Sequence, residues 1–316
     1  MMRVNLMKPY TKEIIKHSHL YITRFHKSKK LPWVVFVHGG PGLNSGTLEA
    51  LIESYAIFSS LNFNIILYDQ RGCGRSENPG GHPVKHCDNV SDLEKLISFL
   101  IKEANISPKI IIGHSYGAKL LYDYLAKTNN NLFGVFISTA TSILTPRINN
   151  LLLDLAYLKS KDRDRYQELL EQFENFNDDD IWNITEKLSD IFHENENRSN
   201  IYWANMDWKD KVTCIQKNIN LPMSRAVFTS VREDLYLSKK NYLINFQLLN
   251  SDNYLRINGL HDLIMNGQAS LNDKSLGTKI FFKSSHYPHI EENTRFCREI
   301  NAIINYVVKP HQILFG

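Results

Sequence analysis

Ser115 stands in Gly113-His114-Ser115-Tyr116-Gly117, between an apolar run at 109–113 and a helix-like segment at 118–127. Glycines two positions either side of a serine permit a turn too sharp for side chains. Such a turn lifts the hydroxyl to the start of the following helix, where N–H groups and the helix dipole favour negative charge. A serine hydroxyl at its ordinary pKa is a weak nucleophile, so it needs a neighbouring base, and the base needs a carboxylate to orient it. Asp262 follows a strand-like run ending at Gly259, and His286 follows another, after Ser284-Ser285. Their order along the chain, serine then acid then histidine, suits a nucleophile elbow at a strand-to-helix turn. His289, three residues on, is the competing base, and an ordinary loop carboxylate is the competing reading of Asp262.

The chemistry expected of this trio is acyl transfer. Ser115 attacks a carbonyl while His286 takes its proton and Asp262 stabilises the imidazolium; the histidine then protonates the leaving group, and water repeats the cycle on the acyl-enzyme. The tetrahedral oxyanion needs donors aimed at it, each worth about 3 kcal/mol. Tyr116 offers one backbone N–H. The glycine-rich turn His38-Gly39-Gly40-Pro41-Gly42 offers the second, with Gly40 the expected residue. This chemistry requires no cofactor and no metal.

Each of these residues follows the end of an expected strand, which is where open parallel sheets place their crevice. Strands are expected at 31–38, 64–69, 109–113, 134–138, 253–258 and 279–283. Helical spacing lies between them at 47–59, at 90–103 with Ser91 as N-cap, at 118–127 and finally at 292–307. Alternating strands and helices imply an α/β domain with parallel βαβ units covered on both faces. After Thr139 the strand-like runs stop, and residues 149–159 and 162–173 place Leu, Tyr and Phe at helical spacing. The expected division is a core of residues 1–140 and 251–316 with a helical insertion at 141–250.

Composition narrows the function classes. A chain of 316 residues that is 43% hydrophobic can bury a sizeable core. Its formal net charge is +4, with the basic residues dispersed apart from Lys27, Lys29 and Lys30, which is no nucleic-acid footprint. No apolar run approaches the roughly 20 residues that cross a bilayer. Residues 1–12 intersperse Arg3, Asn5, Lys8 and Lys12, unlike a secretory signal, so a cytoplasmic location is expected. The four cysteines, Cys73, Cys87, Cys214 and Cys297, are far apart and suggest neither a zinc site nor a disulfide framework. The expected partner is a small molecule or short peptide acting as substrate, with no nucleic acid and no membrane.

Taken together, these segments resemble the proline iminopeptidase branch of the α/β hydrolases. The likeness rests on His38-Gly39-Gly40-Pro41-Gly42, Asp69-Gln70-Arg71-Gly72-Cys73-Gly74-Arg75-Ser76, the Ser115 elbow, Gly259-Leu260-His261-Asp262, and Ser285-His286 with Glu291 shortly after. It covers roughly residues 31–142 and 253–306. The resemblance implies an α/β-hydrolase fold with a mostly parallel central sheet, flanking helices and an inserted helical cap. It also implies a serine hydrolase of proline iminopeptidase-like aminopeptidase activity, in which the Asp69 to Gly72 segment is a structural turn. Family aminopeptidases hold the substrate's amino group with cap glutamates, for which Glu194, Glu196 and Glu233 are the candidates here. Trp203, with Trp182 and Trp208, is a candidate lining for an apolar pocket, and Tyr116 replaces the Trp that family peptidases commonly carry. The same chemistry would serve an esterase, lactonase or thioesterase on a small metabolite, and a ligand-binding homologue without turnover is a third reading.

Overall fold

Runs of Val, Ile, Leu and Phe without polar interruption are what a strand buried on both faces requires. In the computed structural model they lie in one eight-stranded sheet: β1 (Thr11–His17), β2 (Leu20–His26), β3 (Trp33–Val37), β4 (Asn64–Tyr68), β5 (Pro108–His114), β6 (Phe133–Ile137), β7 (Tyr254–Gly259) and β8 (Thr278–Phe281). The structure describes residues 10–128, 132–140, 142, 144–171, 184, 188, 195–238, 244–265, 278–281 and 283–308. The strand order is β1-β2-β4-β3-β5-β6-β7-β8. From β4 to β8 every neighbouring pair is parallel, while β1 and β2 join antiparallel at one edge.

Alternate residues of each strand serve opposite faces. Val35, Val37, Ile111 and Phe136 meet the helices α2 (His86–Lys102) and α3 (Tyr116–Lys127), with Leu93, Leu96, Leu120 and Leu121 opposite them. Val34, Phe36, Ile110 and Ile112 meet α1 (Gly46–Tyr55) and the last described helix, α9 (Asn293–Val308), through Leu48, Leu51, Phe296 and Ile300. Each such side chain, fully buried, contributes about 1.5–3 kcal/mol of hydrophobic stabilisation.

Two expectations are corrected. The hairpin β1–β2 was not among the expected strands, because Lys12, Glu13 and Lys16 on the exposed edge strand break its apolar pattern. Helix α2 begins at His86 rather than after Ser91, because the Asp88 carboxylate accepts the Lys85 N–H (2.9 Å) and moves the N-cap from Ser91 back to Lys85.

Between β6 and β7 the described elements are helical: α4 (Leu144–Lys161), α5 (Arg163–Glu171), a 3₁₀ turn (Glu196–Tyr202), α6 (Met206–Ile219) and α7 (Arg225–Leu237). Pro146 in the first turn of α4 costs no helical hydrogen bond, which lets that helix start five residues before its apolar spacing becomes evident. Leu151, Leu155, Leu158 and Leu169 form a small cluster of their own. By contrast, Val212 and Ile215 of α6 join the core on the α1 face, and Val227, Val231 and Leu235 of α7 join it on the α2 face. Among the described residues, no helix is long and apolar enough to cross a membrane.

Candidate active site

Ser115 sits between β5 and α3 with φ 54° and ψ −117°, a left-handed conformation that a non-glycine residue adopts only under constraint. The constraint is backbone contact. A Cβ on Gly113 would collide with the Gly117 carbonyl, and one on Gly117 would collide with the carbonyls of Val37 and His38. The two glycines thus let α3 begin directly against the end of β3. The Ser115 N–H donates to the Ile137 carbonyl (2.9 Å), which completes the parallel ladder with β6 and holds the turn.

Asp262 lies in the loop after β7 and is buried. Its Oδ1 accepts the N–H groups of Ile264 (3.1 Å) and Met265 (3.0 Å), and its Oδ2 accepts from His286 Nδ1 (3.0 Å). A carboxylate beside Nδ1 keeps the proton there in the neutral ring and leaves Nε2 with a lone pair. His286 is itself fixed by its backbone: its N–H donates to the Tyr202 carbonyl (3.1 Å), and its carbonyl accepts from His114 Nε2 (2.8 Å). The rings of His114 and His286 lie 4.9 Å apart, so the imidazole is seated against the residue that precedes Ser115. Among the described residues Ser115 Oγ and His286 Nε2 are not hydrogen-bonded, and catalytic contacts of this kind often tighten only when substrate binds.

The competing histidine is placed elsewhere. His289, in the short helix α8 (Pro288–Glu291), packs among His114, Phe36 and Phe296, and burial, with a smaller contribution from His286, lowers its pKa to about 3. His286, not His289, is the ring that meets Asp262.

At the glycine-rich turn, His38 Nε2 accepts the Gln70 N–H (3.0 Å), so Nδ1 carries the proton and donates it to the Gly39 carbonyl (2.8 Å). Burial also lowers the His38 pKa, in keeping with this neutral form. In a trans peptide the C=O and N–H point in opposite directions. Locking the Gly39 carbonyl onto His38 therefore turns the Gly40 N–H away from the His38 ring. Gly40 adopts φ +130°, and the position of a Cβ on the preceding Gly39 would lie 3.2 Å from Ser115 Cβ, so the turn and the elbow are in contact.

Around this turn, Asp69 accepts from Ser45 N (2.8 Å), Ser45 Oγ (2.6 Å), Arg75 N (2.9 Å) and Arg75 Nε (2.8 Å). Burial works to raise the Asp69 carboxyl, but Arg75 and Ser45 outweigh it and hold the group below the usual range. Arg71 forms a bidentate pair with Asp92 (2.8 and 2.7 Å), which His19 also contacts (2.9 Å). Both carboxylate oxygens of Asp69, and Nε and Nη2 of Arg71, are thus spent on neighbouring protein groups.

The four expected substrate contacts fare differently. Glu194 lies outside the described residues, and Glu196 opens the 3₁₀ turn with its side chain outside them. Glu233 is exposed on α7. Trp203 stacks on Tyr287 (4.4 Å between centroids, 21° between planes), where Tyr287 is the residue following His286. Trp182 also lies outside the described residues, and Trp208 packs against Tyr55 on the outer side of α1. A cavity of about 270 Å³ adjoins Gly39, His38, His114 and Tyr287, walled by Leu51 of α1 and Val212 of α6. Among the described residues there is no cluster suited to hold a metal ion.

Glu291 was given no role by its place in the sequence, yet it clamps the loop. Its Oε1 accepts the Ser285 N–H (2.9 Å), and its Oε2 accepts those of Ala204 (2.8 Å) and Asn205 (2.7 Å). Burial raises its pKa against these three bonds. Ser285 Oγ adds a bond to the Ile201 carbonyl (2.9 Å). The segment after the 3₁₀ turn is therefore stitched to the loop that carries His286. Only the presence of an acid five residues after His286 signals this in the sequence.

A sequence model described as the alpha/beta hydrolase fold matches residues 32–293. The chain belongs to the α/β-hydrolase family. Within that family its sequence likeness is to the proline iminopeptidase branch. It is 29% identical over 148 residues to the proline iminopeptidase of Saccharolobus solfataricus, covering 46% of this chain and 44% of that protein. It is 36% identical over 106 residues to a probable proline iminopeptidase of Leptolyngbya boryana, covering 33% and 30%. The chain thus spans less than half the length of these curated relatives. Among solved structures, the proline iminopeptidase-related protein of Thermus thermophilus matches with a TM-score of 0.65 at 15% identity, covering 95% of this chain and 98% of that one. A thermostable carboxyl esterase of Bacillus coagulans matches with a TM-score of 0.60 at 14% identity, covering 95% and 99%. At these identities the two structures speak for the fold alone.

Proposed function

We propose that this α/β hydrolase is a serine hydrolase working through an acyl-enzyme, with Ser115 as nucleophile, His286 as general base and Asp262 as the carboxylate that orients it. The observation that carries the reading is the Asp262–His286 hydrogen bond of 3.0 Å, with the imidazole seated beside a serine held at positive φ on the elbow. Asp262 fixes the tautomer, so Nε2 is the atom that takes the serine proton. Negative charge developing on the substrate oxygen falls to the N–H groups of Tyr116, at the start of α3, and of Gly40, turned away from the His38 ring.

The preferred substrate in this reading is a small peptide with N-terminal proline, supported by the relatives' names and by the His38 to Gly42 and Asp69 to Ser76 motifs. One observation favours a second reading, an esterase, lactonase or thioesterase on a small metabolite. Among the described residues the cavity beside the turn is lined by no aspartate, glutamate, lysine or arginine, and burial holds its His114 and His289 neutral, so it suits an uncharged group. Labelling of Ser115 by a fluorophosphonate, absent in Ser115→Ala, tests the mechanism. Parallel assays on prolyl anilides and short-acyl nitrophenyl esters test the substrate: esters cleaved well with no prolyl turnover would discard the peptidase reading.

A further inference from the structure

Behind the elbow lies a second histidine–carboxylate pair that the proposed mechanism leaves unused. Asp123 on α3 accepts from Lys119 Nζ (2.8 Å) and makes a 2.6 Å contact with His86 Nε2. Burial works to raise the Asp123 carboxyl, but the bond from His86 and the charge of Lys119 outweigh it, so the group is ionised. His86 Nε2 therefore carries a proton and donates it. In the neutral ring Nδ1 is then an acceptor, and the atom 3.0 Å from it is the hydroxyl of Tyr116. Asn89 Nδ2 donates to the same oxygen, also at 3.0 Å. The phenol thus donates once and accepts once, in a pocket where Tyr116, His86 and Asn89 are all buried. Its ring cannot turn without breaking both bonds.

A phenylalanine would fill the same apolar space, so packing alone does not account for the hydroxyl. Nor is the phenol placed to exchange protons with substrate, since its two partners lie on α2 and burial raises its pKa strongly. What the ring does control is its own backbone. Two side-chain torsions separate it from the Tyr116 N–H, the first donor of α3 and the residue directly after Ser115. The latch also reaches the insertion: the His86 N–H, at the start of α2, donates to Asp234 Oδ2 on α7 (2.8 Å).

We propose that Tyr116 is a positioning residue whose side chain, latched by His86 and Asn89 on α2, fixes the Tyr116 amide as an oxyanion donor and ties that donor to helix α7. The inference rests on the serine-hydrolase reading above. Because a small misplacement of a donor forfeits much of its effect, Tyr116→Phe should lower kcat on a nitrophenyl ester, and the rate of Ser115 labelling by a fluorophosphonate, by about 10-fold to 100-fold. KM should stay within about twofold and the circular dichroism unchanged, as for loss of an interaction made only in the transition state. His86→Ala should cause a similar loss, and the double variant should lose no more than either alone, since both remove one latch. Equal labelling rates in wild type and Tyr116→Phe would overturn the latch while leaving the serine hydrolase intact, as would losses that multiply in the double variant. Should His86→Ala fail to fold, Tyr116→Phe alone decides. A wild-type protein that is not labelled at all would overturn the hydrolase reading and this proposal with it.

Discussion

Two histidine–carboxylate pairs flank the same elbow, one for each end of the Ser115-Tyr116 dipeptide, and their surroundings divide their work. His286 meets Asp262 through Nδ1 at 3.0 Å, and its Nε2 has no hydrogen-bond partner among the described residues. His86 meets Asp123 through Nε2 at 2.6 Å, and its Nδ1 is taken by a hydroxyl that Asn89 also holds. The constellation of hydroxyl, imidazole and carboxylate is therefore not in itself an active site. A base needs an open lone pair and a hydroxyl that can move toward a substrate; saturating every donor and acceptor converts the same groups into a brace. The strained backbone marks the same division, since it falls on Ser115, while Tyr116 begins a regular helix.

Substitutions at the two pairs should therefore differ sharply. Ser115→Ala is expected to lower kcat at least about 10⁴-fold with no loss of thermal stability, and retained turnover would remove this serine from the mechanism. Asp262→Asn should cost about 10³-fold to 10⁴-fold in kcat by allowing the wrong tautomer. Asp123→Asn should cost less than about 10-fold, because it loosens the brace without removing it: the Tyr116 hydroxyl keeps its bond from Asn89. Equal losses from the two, measured side by side on one ester, would break the comparison.

Smaller effects sharpen it. Glu291→Ala leaves the N–H groups of Ser285, Ala204 and Asn205 without their carboxylate, and should lower stability to urea by about 2 kcal/mol. Acid titration probes the Asp69–Glu49–Arg75 cluster. Burial opposes ionisation of both carboxyls, but Arg75 and Ser45 dominate and depress their pKa values in the folded state. Their stabilisation is complete above the ordinary carboxylate pKa of about 4 and is lost as pH falls through the lowered values. Asp69→Asn should accordingly start less stable at neutral pH and lose stability less steeply between about pH 5 and pH 2, as followed by thermal melts. An unchanged slope would mean that the cluster is not linked to folding. Finally, Glu233→Ala should change KM less than about twofold and stability by no more than about 0.5 kcal/mol, because that side chain is exposed on α7. A large rise in KM for a prolyl substrate would restore it as an amine contact.

Six strands were legible because each carries an apolar run interrupted at most by single polar residues, such as Arg256 in β7 and Lys279 in β8, and Ser115, Asp262 and His286 follow their ends. The edge hairpin β1–β2 was not, since an exposed edge strand alternates with charge and resembles a loop. The start of α2 depended on Asp88 reaching back to Lys85, a bond that competes with an equally plausible cap at Ser91. Glu194 and Glu196 are acids in a polar stretch, a signal that does not distinguish a binding group from a solvated one.

Sequence alone determined the family, six of the eight described strands and the chain order of Ser115, Asp262 and His286, because a strand-to-helix turn between glycines and apolar strand ends are local features of the chain. Only the tertiary structure decided that His286 rather than His289 meets Asp262, that the Gly39 carbonyl is bonded to the His38 ring, itself held by the Gln70 N–H, and that Glu291 and the His86–Tyr116 bond join separate segments. Those outcomes depend on hydrogen bonds between residues far apart in the chain, and a donor's partner follows from where folding brings it, which no local pattern records.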